Sequence, residues 1–315
     1  MAVAALCLSL LLLSELGWRA SQYNPFVPRA AVYPPAWPVA NFLHTDPDLY
    51  RVYFPSGDGF DVFLPYKIQM ITGYDPLYPA QFKQLVEAGS QSLTSDSPLW
   101  PYGMSPLLLN LLNTKYVINE FAFSADTLRV FQLKQVYSDG KDWIYLNQAA
   151  LPRAYMAYQC ASLTGEAVLT QIKQGVLPIT AEVAIESNPS LCAQLATHPV
   201  HAVSSNGVQI VSYNNNRVQL EVSIPQAGLL VLGDSFNPDW KALVNGKQQP
   251  VLKTNFNFRS VYLPTAGTYA VEFVYTSNAF VWGVAATATG LLICLSLFVL
   301  GVVPWQKWRS RGKRG

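Results

Sequence analysis

Arg217-Val-Gln-Leu-Glu-Val-Ser-Ile224 opens the stretch, ending at Pro304, that decides how the chain is read. Val218, Leu220, Val222 and Ile224 alternate with Arg217, Gln219, Glu221 and Ser223, the pattern of a strand with one buried and one wet face. Pro225 and Gly228 turn the chain into Leu229-Leu-Val-Leu232, apolar enough for the middle of a sheet. Gly233 to Asp239 is expected to loop, because Gly and Asn-Pro interrupt regular structure. Trp240 to Val244 and Gln248 to Leu252 flank Asn245-Gly246, a strong hairpin signal. Phe258 to Leu263 and Tyr269 to Tyr275 follow, joined by a turn at Pro264 to Gly267. Short strands at this spacing predict an antiparallel, jelly-roll-like β-sandwich. After Thr276, Ser277 and Asn278 comes Ala279 to Pro304, long and apolar enough to cross a bilayer.

The chain leaves that span through Lys307, Arg309, Arg311, Lys313 and Arg314. Setting these five aside leaves 16 basic against 19 acidic residues, so the body carries −3 rather than the +2 of the whole chain. A mildly acidic body argues against nucleic acid as partner. The basic tail reads instead as a topology signal, with the C-terminus in the cytoplasm and the β-domain outside. Half the residues are apolar and only 13% are charged, too apolar a mixture for disorder. A second apolar stretch, Ala2 to Trp18, reads as a first transmembrane helix. A signal peptide competes, but no basic residue precedes the run and no small-x-small cleavage site follows it. Glu15 near its end is an interfacial acid on this reading.

The expected architecture is therefore membrane-anchored α+β. Residues 1–18 form a transmembrane helix and 19–50 a Pro- and aromatic-rich extended segment along the membrane surface. Residues 51–185 form a mixed α/β exterior domain, 186–277 the β-sandwich, 278–304 the second span and 305–315 a basic cytoplasmic tail. Within the mixed domain, helices are expected at Pro79 to Ala88, Leu107 to Leu112 and Gly165 to Gly175. Pro38 opens a short helix through Leu43. Strands are expected at Tyr50 to Phe54, Lys115 to Ile118, Val130 to Tyr137, Trp143 to Asn147 and Ala154 to Gln159. The span from Glu186 to His201 reads as irregular, and the domain boundary is placed there.

Cys7 and Cys294 lie in the apolar spans and read as packing residues. Cys160 and Cys192 lie in the exterior region, where a disulfide can persist, but nothing in the sequence fixes the distance between them. His44, His198 and His201 have no Cys or acid at ligand intervals, so neither a metal nor a cofactor is expected. The sharpest candidate for binding is the Gly233 to Lys241 segment, with Asp234, Asn237, Asp239, Trp240 and Lys241, and Arg259 a little further on. Carboxylates and an amide beside an exposed aromatic suit a sugar, whose ring stacks while its hydroxyls take donors and acceptors. Turn capping by Asp234 and Asn237 and core filling by Trp240 account for the same residue types. Asp75, in Gly73-Tyr-Asp-Pro76, is either a general acid or an Asx-turn residue. Lys115 and Arg153 are single charges beside apolar strands, with structural pairing as the default. There is no nucleophile elbow, phosphate-binding glycine loop or Ser/His/Asp set.

One ordered set of motifs points further. It comprises Tyr23-Asn-Pro25 with Tyr33-Pro34, Asp48-Leu-Tyr-Arg-Val52, Gly73-Tyr-Asp-Pro76, Asn110-Leu-Leu-Asn-Thr-Lys-Tyr-Val-Ile118 and Leu151-Pro-Arg-Ala154. It continues with Leu229 to Lys241, Val244-Asn-Gly-Lys247 and Phe258-Arg-Ser-Val261. The set resembles the C-terminal part of the YfhO family of bacterial multi-spanning membrane proteins, over nearly the whole chain. The resemblance implies a glycosyltransferase of the multi-spanning C type, taking sugar from a polyprenyl phosphate outside the cytoplasmic membrane and adding it to envelope glycopolymers. In that type the catalytic aspartate lies in the first exterior loop of an N-terminal helix bundle. This chain begins at what resembles the last helix before the exterior domain, so no residue here takes that role. The expectation is an exterior portion without its catalytic core, with membrane lipid, an envelope glycan or lipid-linked sugar, and a multi-spanning catalytic subunit as partners. The alternative is a non-catalytic, membrane-anchored glycan-binding or accessory module.

Overall fold

Local signals fix most of the elements in the computed structural model, which describes residues 2–23, 37–55, 62–73, 78–93, 101–199 and 202–311. The chain is mixed α/β with several antiparallel ladders, and its contacts divide it into two compact units. One comprises residues 1–75 and 114–149; the other comprises 76–113 and 150–315.

In the first unit a five-stranded sheet runs in the order Gln69–Met70, Arg51–Tyr53, Thr114–Asn119, Trp143–Asn147, Leu133–Ser138. Its first two pairings are parallel and the last two antiparallel. Pro38–Leu43 is a helix with proline in its first turn, as expected. It buries Val39, Ala40 and Leu43 in a core with Tyr50, Val52, Phe54, Phe63, Ile118 and Ile144. The expected strand from Val130 starts later, at Leu133, because Ser124 caps a helix over Ala125–Val130 by accepting from the Thr127 amide. Trp37 stacks on Phe63 with ring centroids 4.7 Å apart. Residues 24–36, most of the expected extended segment, lie outside the described residues.

In the second unit, Ala80–Gly89 and Pro106–Leu111 are helices, the latter capped by the Ser105 hydroxyl. They approach closely at Gly89, where a Cβ would come within 2.7 Å of Leu108. Two larger sheets follow. The six-stranded one is ordered Ala154–Ala157, Gly228–Ser235, Phe258–Leu263, Leu252–Thr254, Val183–Ile185, Cys160–Ser162. The five-stranded one is ordered Val208–Asn214, Arg217–Ile224, Gly267–Tyr275, Trp240–Val244, Lys247–Gln249, and every pairing in it is antiparallel. A single core draws on both: Met156, Leu230, Leu232, Val261 and Leu263 from the first, Val218, Leu220, Val222, Ala242, Val271 and Phe273 from the second. The alternation read at 217–224 is kept, with Val218, Leu220, Val222 and Ile224 buried. Leu229 to Leu232 is buried on both faces of its sheet.

Several expectations change. The hairpin at Asn245-Gly246 forms, both residues having positive φ as a type I′ turn requires. Its second strand is Lys247–Gln249, however, and after Pro250 the chain crosses to the other sheet as Leu252–Thr254. Proline withholds an amide from a ladder, so the switch falls there. The segment from 186 is not irregular: Asn188 caps a helix over Pro189–Leu195 with proline in its first turn. Strands Ala154–Ala157 and Val183–Ile185 pair with strands that follow residue 186, so the contacts do not divide at the boundary read there. Cys160 and Cys192 form a disulfide, with Cα atoms 5.1 Å apart.

The first helix covers Ala2–Tyr23 and the last Asn278–Arg311. Glu15 pairs with Arg19 one turn on, at 2.9 Å. Among the described residues, Asn278–Leu297 is the helix long and apolar enough to cross a membrane. Its large side chains, Trp282, Leu291 and Leu292 among them, are exposed.

Candidate functional site

The Gly228–Ser235 strand slips register just before the expected loop. Leu232 pairs with Arg259 and Ser235 with Phe258, leaving Gly233 and Asp234 between them as a bulge. The Gly233 amide donates instead to the Arg153 carbonyl at 2.7 Å. The strand therefore continues through Asp234, and the loop is confined to Phe236 to Asp239. Arg259 alternates with Val261 and Leu263, so it points to the core side of its sheet.

There the charges meet. The Asp234 carboxylate receives Arg259 Nη2 at 3.2 Å and lies 3.3 Å from Arg153 Nη1. The Tyr213 hydroxyl lies 3.1 Å from both of its oxygens. Arg259 also donates to the Ser235 carbonyl at 3.0 Å, and its guanidinium lies over the Trp240 ring at 3.7 Å. Asp234, Arg153 and Arg259 are each buried to better than nine-tenths. Trp240 is half-buried, with Tyr275 on it at 5.3 Å between centroids. Buried charges require such partners, and a guanidinium resting on an aromatic face gains cation–π stabilisation.

The proposed binding residues are thus only partly brought together. Asp234, Arg259 and Trp240 form one interlocked core-end cluster. Asn237 is exposed; its side chain accepts from the Asp239 amide at 2.9 Å, the Asx turn that competed with the sugar reading. Lys241 is exposed on the strand beyond. Asp75 lies outside the described residues. Arg153 was read only as a paired charge, and Tyr213 was not singled out. The alternation Val208, Ile210 before the Asn214 to Asn216 turn is the signal that could have placed Tyr213 on a strand.

A second charged cluster belongs to the other unit. Lys115 Nζ pairs with Asp46 and, at 2.7 Å, with Asp48. The Tyr116 hydroxyl donates to Asp46 at 2.8 Å, and the Tyr50 hydroxyl to the Leu43 carbonyl at 2.5 Å. Lys115 lies 5.7 and 5.9 Å from the Tyr50 and Tyr116 ring centroids. Burial pushes the Asp46 carboxyl up, but the bonds from Lys115, the Asp48 amide and Tyr116 outweigh it and hold the group below its ordinary value. Burial likewise pulls Lys115 down while Asp46 and Asp48 hold it above. Burial first, and then the carboxylates, raise both tyrosines, so they stay protonated donors.

Among the described residues, no three His, Cys, Asp or Glu side chains are grouped to hold a metal. Comparison with known proteins returns no matching family model, curated protein or solved structure. One pattern is internal to the chain. Segments far apart in sequence meet one another in space within each unit: Asp48 with Lys115, Leu151 with Asn110 and Asn113, Arg153 and Arg259 with Asp234.

Proposed function

We propose that the chain is the exterior, C-terminal part of a YfhO-like membrane glycosyltransferase, holding an envelope glycopolymer for a catalytic helix bundle that this chain does not contain. The observation that carries the reading is the passage from strand to span. Tyr275 ends a sheet strand, and after only Thr276 and Ser277 a helix begins at Asn278 whose apolar stretch to Leu297 is not buried against any of the described residues. A helix so apolar and so exposed fits a bilayer, and it ends in the basic residues that favour the cytoplasmic side. On this reading Ala2–Tyr23 is a second span, and the two large sheets pack as a β-sandwich around their common core. The Cys160–Cys192 disulfide supports an oxidising, extracytoplasmic setting for the body. On this reading the mutual pairing of motif residues holds the exterior part together. The lipid-linked sugar donor would then engage the multi-spanning subunit, and the glycan the exterior sheets.

Topology is tested by labelling in intact bacterial cells with a membrane-impermeant maleimide, in a chain freed of Cys7 and Cys294. Lys247→Cys should label and Ser310→Cys should label only after lysis; the reverse pattern overturns the arrangement. Partnership is tested by detergent extraction through a C-terminal tag. A multi-spanning protein should co-purify, or the tagged band should run far above 34.8 kDa. A lone band near that mass would leave the accessory-module reading in its place.

A further inference from the structure

Away from the Asp234 cluster, the six-stranded sheet carries a cleft on its other face. Tyr262 alternates with the core residues Val261 and Leu263, so it points away from the two-sheet core. Leu252, paired with Ser260 in the neighbouring strand, shares that face. The Pro189–Leu195 helix lies across it. Together with Gln249 and Pro250 they enclose a cleft of about 320 Å³, whose further walls are Asn188, Ser190, Leu191 and Gln194. That volume is at the small end of ligand sites, room for one or two rings rather than a long segment.

We propose that this cleft binds an uncharged, hydroxyl-rich ligand, a neutral sugar residue of a glycan. The lining is three amides, a hydroxyl and a phenol set among Leu191, Pro250 and Leu252, with no charged side chain. An ionic ligand would be desolvated there without a counter-charge, whereas amides and hydroxyls match sugar hydroxyls and the apolar patches match ring C–H faces. The Gln194 amide donates to the Tyr262 hydroxyl at 3.0 Å, leaving the phenol proton to point onward. Burial first, with Tyr269 nearby, raises that phenol above its ordinary value, so it remains a donor.

The wall is also fixed in advance. Cys192 ties the helix to Cys160, and the Leu195 carbonyl accepts from the Gln159 amide at 3.4 Å. The backbone N–H of Asn188 donates to the Ser162 hydroxyl at 3.2 Å. Leu191 and Gln194, three residues apart, share a face of the helix so held. A pre-set wall spares the ligand the cost of ordering it. The sugar assignment rests on the glycan-holding reading above; the preference for an uncharged polar ligand does not.

The test uses the detergent-solubilised full chain and neutral tetrasaccharides of glucose, galactose and N-acetylglucosamine, with an anionic oligogalacturonate beside them, followed by saturation-transfer NMR and titration calorimetry. At least one neutral tetrasaccharide should bind, with an affinity indifferent to salt. Gln249→Ala combined with Tyr262→Phe should weaken it at least about tenfold while far-UV circular dichroism is unchanged. Cys160→Ala with Cys192→Ala should weaken it less. Neutral binding that survives the Gln249/Tyr262 change overturns the cleft and leaves glycan holding intact. Binding of the anionic probe alone, or of none, overturns the proposal, while maleimide labelling and co-purification judge the parent reading separately.

Discussion

Asp234 and Asp46 are about equally enclosed, and each accepts a tyrosine hydroxyl and a basic side chain that lies far away in sequence, yet their partners stand in different amounts of water. The Arg153 and Arg259 side chains beside Asp234 are 1% and 4% exposed. Beside Asp46, Lys115 is 25% exposed and its other partner, Asp48, is 71% exposed. Desolvation makes the first cluster costly to assemble and still more costly to break, because any remaining charge stays buried. In the second, solvent reaches Lys115 and Asp48 and substitutes for part of what is removed. The residue choice follows: planar guanidiniums, weakly hydrated and able to stack on Trp240, in the buried place, and a strongly hydrated ammonium where water reaches it. The segment read as a candidate ligand-binding loop and the lysine read as a single charge thus each belong to a charged cluster, and the two clusters differ in the exposure of their partners.

Asp234→Ala should break that contrast most forcefully. It leaves two buried guanidiniums without their carboxylate and should cost about 3–5 kcal/mol, read as a lower urea midpoint. Hydrogen exchange should show protection lost first in Phe258–Leu263. A loss under about 1 kcal/mol would mean that water enters the cluster and that the two sites do not differ in kind. Trp240→Ala comes next. Full truncation of a core aromatic costs about 3–5 kcal/mol, and for this half-buried ring, still stacked on Arg259 and Tyr275, about 2 kcal/mol is expected. An unchanged midpoint together with lost glycan binding would return Trp240 to the role of a sugar platform.

Lys115→Met tests the wetter cluster. Asp48 keeps its solvent while the enclosed Asp46 loses its cation, so the expected loss is about 1–2 kcal/mol, between the surface and buried cases. It should be confined to exchange in Thr114–Asn119. The pH dependence carries the same signature. Asp46 is depressed in the fold, so its contribution is present above the unfolded carboxylate value of about 4 and is lost as pH falls through the folded value. Lys115 is raised, so its contribution is complete below about 10.4 and is lost as pH rises through the folded value. Asp46→Asn should flatten the acid limb and leave the alkaline limb shallower; an unaltered acid limb would assign acid sensitivity elsewhere.

The sequence made the local parts of this contrast visible and hid the non-local ones. The alternation at Val218 to Ile224, the hairpin pair Asn245-Gly246 and the helix-opening Pro38 are each dictated within a few residues, and each stands where it was read. Asp234 could not be placed, because its environment is made by Arg153, Arg259 and Tyr213, brought in by sheet pairing, and by a bulge with no sequence marker beyond Gly233. The crossing of Leu252–Thr254 to the other sheet was equally invisible, since Pro250 marks a break but not a destination. The helix after Asn188 did carry a signal, a capping Asn followed by proline. Within a span read as irregular that signal went unused, and with it the geometry that joins Cys192 to Cys160.

Asp48→Asn is the finest of these cuts and the one that separates contact from contribution. Its carboxylate lies 2.7 Å from Lys115, in direct ion-pair contact. If distance set the strength, neutralising it would weaken the unit about as much as losing Lys115. Exposure says otherwise: a carboxylate in water gives back most of its pairing energy as lost hydration, and ions in the solvent screen the rest. The expected loss is below about 0.5 kcal/mol at physiological salt, and it should vanish in 1 M salt. Asp46→Asn measured beside it should cost more and keep most of its effect in salt, because Asp46 is the half of the pair that the fold encloses, with the Tyr116 hydroxyl also bound to it. Equal losses for the two would mean that Lys115 is held by both carboxylates alike, and that enclosure is not what distinguishes the two clusters.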